Sequence, residues 1–255
     1  MITQFGLKNI ILSGLPPDAF AAIRPFLRPH RLKLRDVLQE PKRQIQHVDF
    51  IEAGVISTRT LASGSILETT MVGYRGVTNI SVALGCGQSW YQTTVVVPGT
   101  ALRIDLSDLH VVMRSHPVIR EHLLRHVHAV MVHSAQNALC GLRHEVEERL
   151  ACWVSLAQDA SEARVLPLTH NDLSLILGLR RPSVTGVLNR FEDRGWIRNT
   201  RGAIEVRDGA ALKQTACGCL RVIDLAYRTA IELCSSAEAF VRPAERVESE
   251  SSLVG

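Results

Sequence analysis

The sequence predicts an α+β protein in which a β-rich N-terminal part is followed by a long helix and a C-terminal helical part. Three observations predict this order. Short apolar runs broken by glycines occupy most of the first 115 residues, and an apolar stripe at helical spacing follows Pro117. Beyond residue 165, two short helical patterns flank a glycine and precede a short hairpin.

Composition narrows the class of protein. The chain has 255 residues, of which 46% are hydrophobic and 21% are charged, and 29 Lys and Arg against 25 Asp and Glu give a net charge of +4. These values exclude a disordered chain, a collagen and a heptad rod, and six cysteines are too few for a disulfide mini-protein. No apolar run approaches the roughly 18 residues of a membrane span, and the N-terminus lacks the marks of a signal peptide. We therefore expect a cytoplasmic protein with reduced thiols and no membrane partner.

Residues 1–116 are expected to form a jelly roll or β-roll. A short helix is predicted within residues 15–28, where apolar residues recur at helical spacing. Several short strands separated by Gly-rich turns then favour a barrel or sandwich. The candidate strands are Asp49–Ala53, Ile56–Leu61, Ile66–Val72, Ile80–Leu84, Thr93–Val97 and Ala101–Leu106.

Residues 117–141 are predicted to be one long helix with a single apolar stripe. Part of the stripe is expected to pack on the β domain and the rest on the same helix of a second subunit, which makes this a dimerisation helix. The residues assigned to that contact are Ile119, Leu123, Val127, Val130, Ser134 and Ala138.

Residues 142–235 are expected to form a C-terminal domain, followed by a disordered tail at 236–255. A helix is predicted over about 142–159, a loop over 158–164 and a final helical stretch over Ala210–Cys234. The tail is polar and short of large apolar residues.

The segment 169–206 has the pattern of a winged helix-turn-helix. Thr169 is placed to cap a helix start, with Asp172 three residues later reaching back, and Gly178 follows as a tight turn. A second helix then opens with Arg180-Arg181-Pro182-Ser183 and buries Val184, Leu188 and Phe191. Trp196-Ile197, a turn at 199–202 and the alternating segment Ala203–Val206 predict a β-hairpin wing.

Basic residues are concentrated in this segment. Between residues 180 and 201 there are six arginines and two acidic residues, so these 22 residues alone carry +4. Arginines at the start of the second helix and in the wing are suited to DNA phosphates and base edges. The residues predicted to bind DNA are Thr169, His170, Arg180, Arg181, Ser183, Thr185, Asn189, Arg190 and Arg201.

These 38 residues, THNDLSLILGLRRPSVTGVLNRFEDRGWIRNTRGAIEV, resemble the winged helix-turn-helix of the CRP/FNR family of bacterial transcription regulators. The order of parts is also similar, with a cyclic-nucleotide-binding-like β-roll as the sensor domain, a dimer helix and the winged helix over roughly residues 15–215. The resemblance implies a cytoplasmic, non-enzymatic homodimer that binds a pseudo-palindromic double-stranded DNA site with its second helix in the major groove. RNA polymerase is a further partner that it suggests.

Two departures from the family pattern concern the recognition helix. Where the best-known members have Arg-Glu and a further Arg one turn later, this chain has Arg181, Pro182 and Gly186. A different DNA sequence is therefore expected. Gly186 either allows a close approach to the DNA backbone or is merely tolerated, and the alternative function is a ligand-binding or scaffold protein that has lost DNA recognition.

The sensor region departs further, because Val77 to Leu102 contains no charged residue. Cyclic-nucleotide binders of the family hold the phosphate with an Arg and the ribose with a Glu, and burying an anion without a cation is costly. We therefore expect no cyclic nucleotide in the usual mode. The pocket takes an unidentified small-molecule effector, a protein partner or nothing. Its candidate residues are Arg75, Asn79, Ser81, Tyr91, Thr93 and Thr94.

Histidines and cysteines suggest metal sites that the spacing does not support. Six of the ten histidines fall between residues 116 and 144, which indicates either a metal or pH sensor at the dimer seam or a polar flank of the helix. Cys217 and Cys219 on one helix would point about 200° apart. The prediction is therefore no metal and no certain cofactor, with the cysteines as buried structural thiols.

Overall fold

The computed structural model describes residues 2–62 and 64–235. The N-terminal domain is built on one antiparallel sheet with strand order β1-β5-β3-β4, and β2 also pairs with β5. Its strands are β1 (Arg28–Leu32), β2 (Val37–Gln39), β3 (His47–Ala62), β4 (Ser65–Val72) and β5 (Gln92–Asp105).

The two central strands are longer than predicted. Each of β3 and β5 spans two of the short strands expected from the sequence, and their pairing shifts register between Ile51 and Ile56. These bulges bend both strands. The close approach at the bend requires a glycine, because a Cβ on Gly99 would overlap the carbonyl oxygen of Ala53.

One predicted strand is wrong. Residues Ile80–Leu84 form a 3₁₀ turn, flanked by Asn79 and Gly85 with left-handed φ values of 53° and 89°. Chain reversals at both ends prevent the segment from extending along a neighbour. Strands β1 and β2 were not predicted, and neither was the helix that follows β5.

Helices close the N-terminal domain. They are α1 (Ile10–Ser13), α2 (Pro17–Ile23) and α3 (Leu106–Ser115), with 3₁₀ turns at Gln4–Gly6 and Arg24–Phe26. Their apolar residues pack with Phe50 and Ile104 of the sheet in one core. The predicted helix near residues 15–28 is thus confirmed as α2.

The long helix α4 spans Pro117–Arg143, as the apolar stripe predicts. Ile119, Leu123 and Val127 are buried in the core of their own N-terminal domain, so they are not available to a second subunit as predicted. Val130 and Ser134 are half-buried, and Ala138 is exposed. The sequence could not divide the stripe because periodicity alone does not say which element covers it.

The C-terminal domain contains α5 (Val146–Ser161), α6 (His170–Leu177), α7 (Arg181–Asp193), α8 (Gly209–Thr215) and α9 (Cys219–Ser235). A small sheet of order β6-β8-β7 joins β6 (Val165–Leu166) to the hairpin of β7 (Ile197–Thr200) and β8 (Ala203–Val206). Helix α5 runs through the first half of the predicted loop, and the predicted final helix is broken at 216–218 into α8 and α9.

The two domains share apolar contacts. Val55, Met71 and Val97 of the sheet belong to the same buried cluster as Leu150 and Trp153 of α5. Helix α9 packs along α4, where Ile223 and Tyr227 cover Ala129 and Cys140. Within the described ranges, no helix is long and apolar enough to cross a membrane. The tail predicted at 236–255 lies outside the described residues.

Candidate DNA-binding interface

The helix-turn-helix consists of α6 and α7, and its start is fixed by a capping box. Thr169 Oγ1 accepts a hydrogen bond from the backbone N–H of Asp172 at 3.1 Å, and Asp172 Oδ2 accepts one from the N–H of Thr169 at 2.8 Å. Gly178 ends α6 in the left-handed conformation, with φ 61°, which a residue with a Cβ adopts only at a cost. Thr169 therefore acts at the helix start, where the sequence placed it, and its hydroxyl is engaged there.

Helix α7 buries one side and exposes the other. Val184, Leu188 and Phe191 are fully buried as predicted, together with Val187. The opposite side is more accessible: Arg181, Pro182, Ser183 and Asn189 are exposed, and Thr185 and Gly186 are half-buried. Pro182 lies in the first turn, where no intrahelical N–H is lost.

His170 connects both helices to the wing. Its Nδ1 lies 3.0 Å from Thr185 Oγ1 and its Nε2 lies 3.3 Å from Asn199 Oδ1. Because the amide oxygen only accepts, Nε2 carries the proton and Nδ1 accepts from the hydroxyl in the neutral ring. Asn199 in turn donates its backbone and side-chain N–H groups to Glu192 at 2.7 and 2.8 Å, which lowers the pKa of that carboxyl. The network fixes the wing relative to α7.

Two of the six arginines are occupied within the protein. Arg190 donates to Glu147 Oε2 through Nε and Nη2 at 3.0 and 2.8 Å, and Arg194 donates to Glu147 Oε1 at 2.6 Å. Arg194 also lies over the ring of Trp196, 4.8 Å from its centre. Arg190, predicted to bind DNA, is therefore held towards α5 by a carboxylate that lies 43 residues earlier in the chain.

The other four arginines are exposed, and none forms an ion pair with another described residue. They are Arg180 and Arg181 at the start of α7, and Arg198 and Arg201 in the wing. Arg198 was not selected from the sequence, although its alternation with buried Ile197 on β7 could have indicated its exposure. The local excess of charge that the sequence predicted is thus presented at two places on one domain.

The residues predicted for an effector pocket do not converge. Arg75 donates to Asp224 of α9 at 2.6 Å, and Asn79 donates to the carbonyl of His47. Thr94 borders a cleft beside β2. Arg75 borders a different cavity, near α9. Ser81 is half-buried, Thr93 is buried and Tyr91 is exposed. The set predicted from one uncharged stretch is therefore distributed over several surfaces.

A cleft of about 460 Å³ separates β4 from helices α4, α5 and α6. Glu68 of β4 lies at its wall, fully buried, and bonds to Ser57 and to Trp153 Nε1, the latter at 2.7 Å. Burial raises the pKa of Glu68 to about 7 in spite of these bonds. This carboxyl joins the sheet directly to the first helix of the C-terminal domain.

Three histidines of α4 are buried rather than forming a polar flank, so that interpretation is wrong for them. Burial lowers the pKa of His122 and His126 to about 4 and that of His133 to about 3. They are neutral at pH 7, and the Nδ1 of His133 lies 3.2 Å from the hydroxyl of Tyr227 on α9. Helix α9 packs on this side of α4. The sequence predicts a helix there but does not predict that it packs against α4.

Comparison with known proteins agrees with the geometry. Residues 148–215 match the family model of the Crp-like helix-turn-helix domain. A search of curated proteins found no match.

Solved structures of similar fold include FixK2 from Bradyrhizobium japonicum, with 14% identity and a TM-score of 0.63 over 75% of this chain and 98% of that chain. The c-di-GMP responsive global regulator CLP from Xanthomonas campestris has 11% identity and a TM-score of 0.58, covering 75% and 99%. TTHA1359, a CRP/FNR family regulator from Thermus thermophilus, has 18% identity and a TM-score of 0.53, covering 74% and 98%. At these identities the likeness shows the fold.

The antiparallel β domain, the long helix and the helix-turn-helix with its wing have the fold of these solved structures. The region that corresponds to the DNA-binding domain, residues 148–215, is Crp-like.

Proposed function

We propose that the protein is a homodimer that binds a pseudo-palindromic DNA site, with α7 in the major groove and the wing beside it. The observation that carries this proposal is the set of four exposed arginines at the start of α7 and in the wing, none of which forms an ion pair with another described residue. Phosphate contacts from the wing and base or phosphate contacts from α7 are the roles suited to them. As a DNA-bound regulator it acts in the cytoplasm, with RNA polymerase as a downstream partner.

Selection of binding sites from a random double-stranded library tests sequence-specific recognition. We expect the full chain to enrich a two-fold symmetric site with half-sites about one helical turn apart. Arg181→Ala removes its base contact from both half-sites and, at about 5-fold or more for each, should weaken binding to the selected site by at least about 25-fold. Arg24→Ala, an exposed arginine of the N-terminal domain, is the control and should bind like the wild type.

Unchanged specific binding by Arg181→Ala would contradict the assignment of α7. If no site is selected and DNA binding does not depend on salt, the result would instead favour the alternative scaffold function, which Pro182 and Gly186 suggest.

We propose that dimerisation uses the face of α4 that the described part of the chain leaves uncovered. Met131 is 64% and Leu142 84% exposed, and Ala135 and Ala138 lie between them. Their spacing of four, three and four residues is the heptad spacing of paired helices. This face differs from the dimer contact predicted from the sequence. Of the residues predicted for that contact, only Ala138 belongs to the new face.

Light scattering on Met131→Glu/Leu142→Glu tests this surface. Two charges in an apolar seam should convert the dimer to a monomer with unchanged helical content. Leu225→Glu, which places a charge on an exposed leucine of α9, should remain dimeric. A dimeric double variant would exclude this face.

We further propose that a signal at the N-terminal domain controls DNA binding and that it is not a cyclic nucleotide bound in the usual mode. The two arginines that border the uncharged stretch are both neutralised, Arg75 by Asp224 and Arg103 by Asp49. The regulator CLP is described as c-di-GMP responsive. A cyclic dinucleotide carries two phosphates and needs the same free cations.

Calorimetric titration with cAMP, cGMP and c-di-GMP separates these ligands. We expect no saturable heat with any of the three. Saturable binding that is lost in Arg75→Ala would contradict the proposal.

A further inference from the structure

Four groups with metal-binding chemistry meet where the long helix ends. Cys140 lies in the last turn of α4, and His144 follows directly after the helix, one turn later. Cys217 and Cys219 arrive from the start of α9. The four ligand atoms all lie within 4.8 Å of one another.

From the sequence, Cys217 and Cys219 are expected to lie on one helix with their thiols pointing apart, and the structure corrects this expectation. Cys217 and Cys219 do not share a helix, because α9 begins at Cys219 and the chain before it is extended at Ala216. Cys217 therefore lies on a turn, and its thiol converges with that of Cys219 instead of pointing away. The break between α8 and α9 creates the site.

Two distances within the cluster already match a tetrahedral ligand set, and every other pair of ligand atoms lies within 4.8 Å. Cys140 Sγ lies 3.5 Å from Cys217 Sγ, and Cys219 Sγ lies 3.6 Å from His144 Nδ1. Zinc bonds of about 2.3 Å to sulfur and about 2.0–2.1 Å to nitrogen give tetrahedral edges of about 3.4–3.8 Å between ligand atoms. Both contacts fall in this range before any metal-induced movement.

Burial and charge also suit a metal. The three thiols are less than 9% exposed, and among the described residues no carboxylate belongs to the group. The guanidinium of Arg149 acts electrostatically on Cys140, and its charge would balance that of three thiolates around a divalent ion.

We propose that Cys140, His144, Cys217 and Cys219 bind one zinc ion as a closed Cys₃His site. Each thiol that is still protonated loses its proton to solvent when its sulfur binds the ion, and the imidazole binds through Nδ1. No change in oxidation state is involved. Cys152, buried beside Cys217, supports the site without belonging to the ligand set.

The position of the site gives it a structural consequence. His144 lies in the short connection between α4 and α5, so its bond to the metal fixes the angle at which the DNA-binding domain leaves the long helix. Cys217 and Cys219 fix α9 against the same point. This inference does not depend on DNA binding, and its test uses metal content.

The untagged full chain, reduced and freed of metal, is titrated with Zn²⁺ and with Co²⁺ as a coloured substitute. We expect one equivalent of either ion, intense near-ultraviolet thiolate-to-cobalt absorption and a higher melting temperature in the presence of zinc. Cys217→Ser and His144→Ala should lose tight binding. Cys86→Ser, an exposed cysteine of the N-terminal domain, should retain it, as should Cys152→Ala.

Two results would overturn the proposal. One is a reduced wild-type protein that takes up no more cobalt or zinc than Cys140→Ser/Cys217→Ser. The other is a non-reduced protein whose mass shows a Cys140–Cys217 disulfide and which, after reduction, binds no metal. The cobalt spectrum of the wild type decides the matter even if a variant fails to fold.

Discussion

The arginines at the start of α7 and in the wing differ from the two that border the uncharged stretch of the N-terminal domain. At the start of α7 and in the wing, Arg180, Arg181, Arg198 and Arg201 are exposed and unpaired among the described residues. In the N-terminal domain, Arg103 binds both carboxylate oxygens of Asp49 at 2.8 and 2.9 Å. The first set leaves its charge exposed, whereas Arg75 and Arg103 use theirs in ion pairs that stabilise the fold.

The difference depends on acidic residues that are distant in sequence. Asp49 lies 54 residues before Arg103, and Asp224 lies 149 residues after Arg75. Glu147 has the same effect on Arg190 within the DNA-binding domain. An arginine near a predicted site thus says little about ligands until the fold shows which carboxylates reach it. The following predictions test this contrast, beginning with the largest effect.

Removal of the arginine should affect stability in one domain and binding in the other. Arg103→Ala leaves Asp49, which is 2% exposed, without its partner, and should lower the free energy of unfolding by about 3 kcal/mol. Arg181→Ala should change it by no more than about 0.5 kcal/mol. Urea unfolding followed by circular dichroism measures both. Equal losses of unfolding free energy in the two variants would contradict the contrast between the two sets of arginines.

Glu68 should give the contact between the domains a pH dependence. Its folded pKa of about 7 exceeds the ordinary 4.5, so the folded protein retains a proton that the unfolded chain releases between these values. Stability contributed by this group therefore falls as pH rises from about 4.5 to about 7. Glu68→Gln stays neutral and should gain stability over the wild type, by about 3 kcal/mol at about pH 8 and little at about pH 4.5.

Unfolding free energies of both proteins at the two pH values check the sign. Titration of the histidines cancels in the difference between wild type and variant. A difference that is the same at both pH values would show that Glu68 is not buried as described.

Thr169 should matter for the helix start and not for DNA. Thr169→Ala removes the capping hydroxyl and should cost about 1 kcal/mol, whereas Thr169→Ser keeps it. DNA affinity of the Ser variant should equal that of the wild type. Weaker DNA binding by Thr169→Ser, with normal stability, would place the residue at the interface after all.

Substitution of Gly186 should have the smallest effect on stability, and it should raise stability while lowering DNA affinity. A Cβ there would meet only Arg190 Nη1, at 3.8 Å, so Gly186→Ala is free of strain and should stabilise the helix by about 0.5–1 kcal/mol. Since nothing within the described chain requires a glycine, we expect the added methyl to reduce DNA affinity by hindering the approach of the backbone. Unchanged affinity would show that the glycine is merely tolerated.

The winged helix-turn-helix could be predicted because its signals are local. A capping box within four residues, a glycine turn and a helix with three predicted buried positions determine α6 and α7 without reference to the remainder of the chain. The exposed starts of α7 and of the wing follow from the same periodicity. The ion pair between Arg190 and Glu147 does not follow from it, because Glu147 belongs to another helix.

Elsewhere the elements could be predicted but their partners could not. The stripe of α4 was recognised, yet Ile119 and Leu123 pack on their own domain while α9 covers the face with His133. Strands β1 and β2 lack apolar alternation and depend on pairing with β5. Cys217 and Cys219 converge only because the helical stretch breaks between α8 and α9. Each of these outcomes depends on a contact that is distant in sequence.

The salt dependence of DNA affinity tests the central claim, that the unpaired arginines bind DNA. Fluorescence anisotropy on the selected site compares the wild type, Arg180→Ala/Arg181→Ala and Arg24→Ala over a range of salt. For a dimer, loss of two arginines in each protomer should weaken binding and flatten the slope of log K against log salt by about 2–4. The Arg24→Ala slope should match the wild type. A double variant with the wild-type slope and affinity would contradict the account.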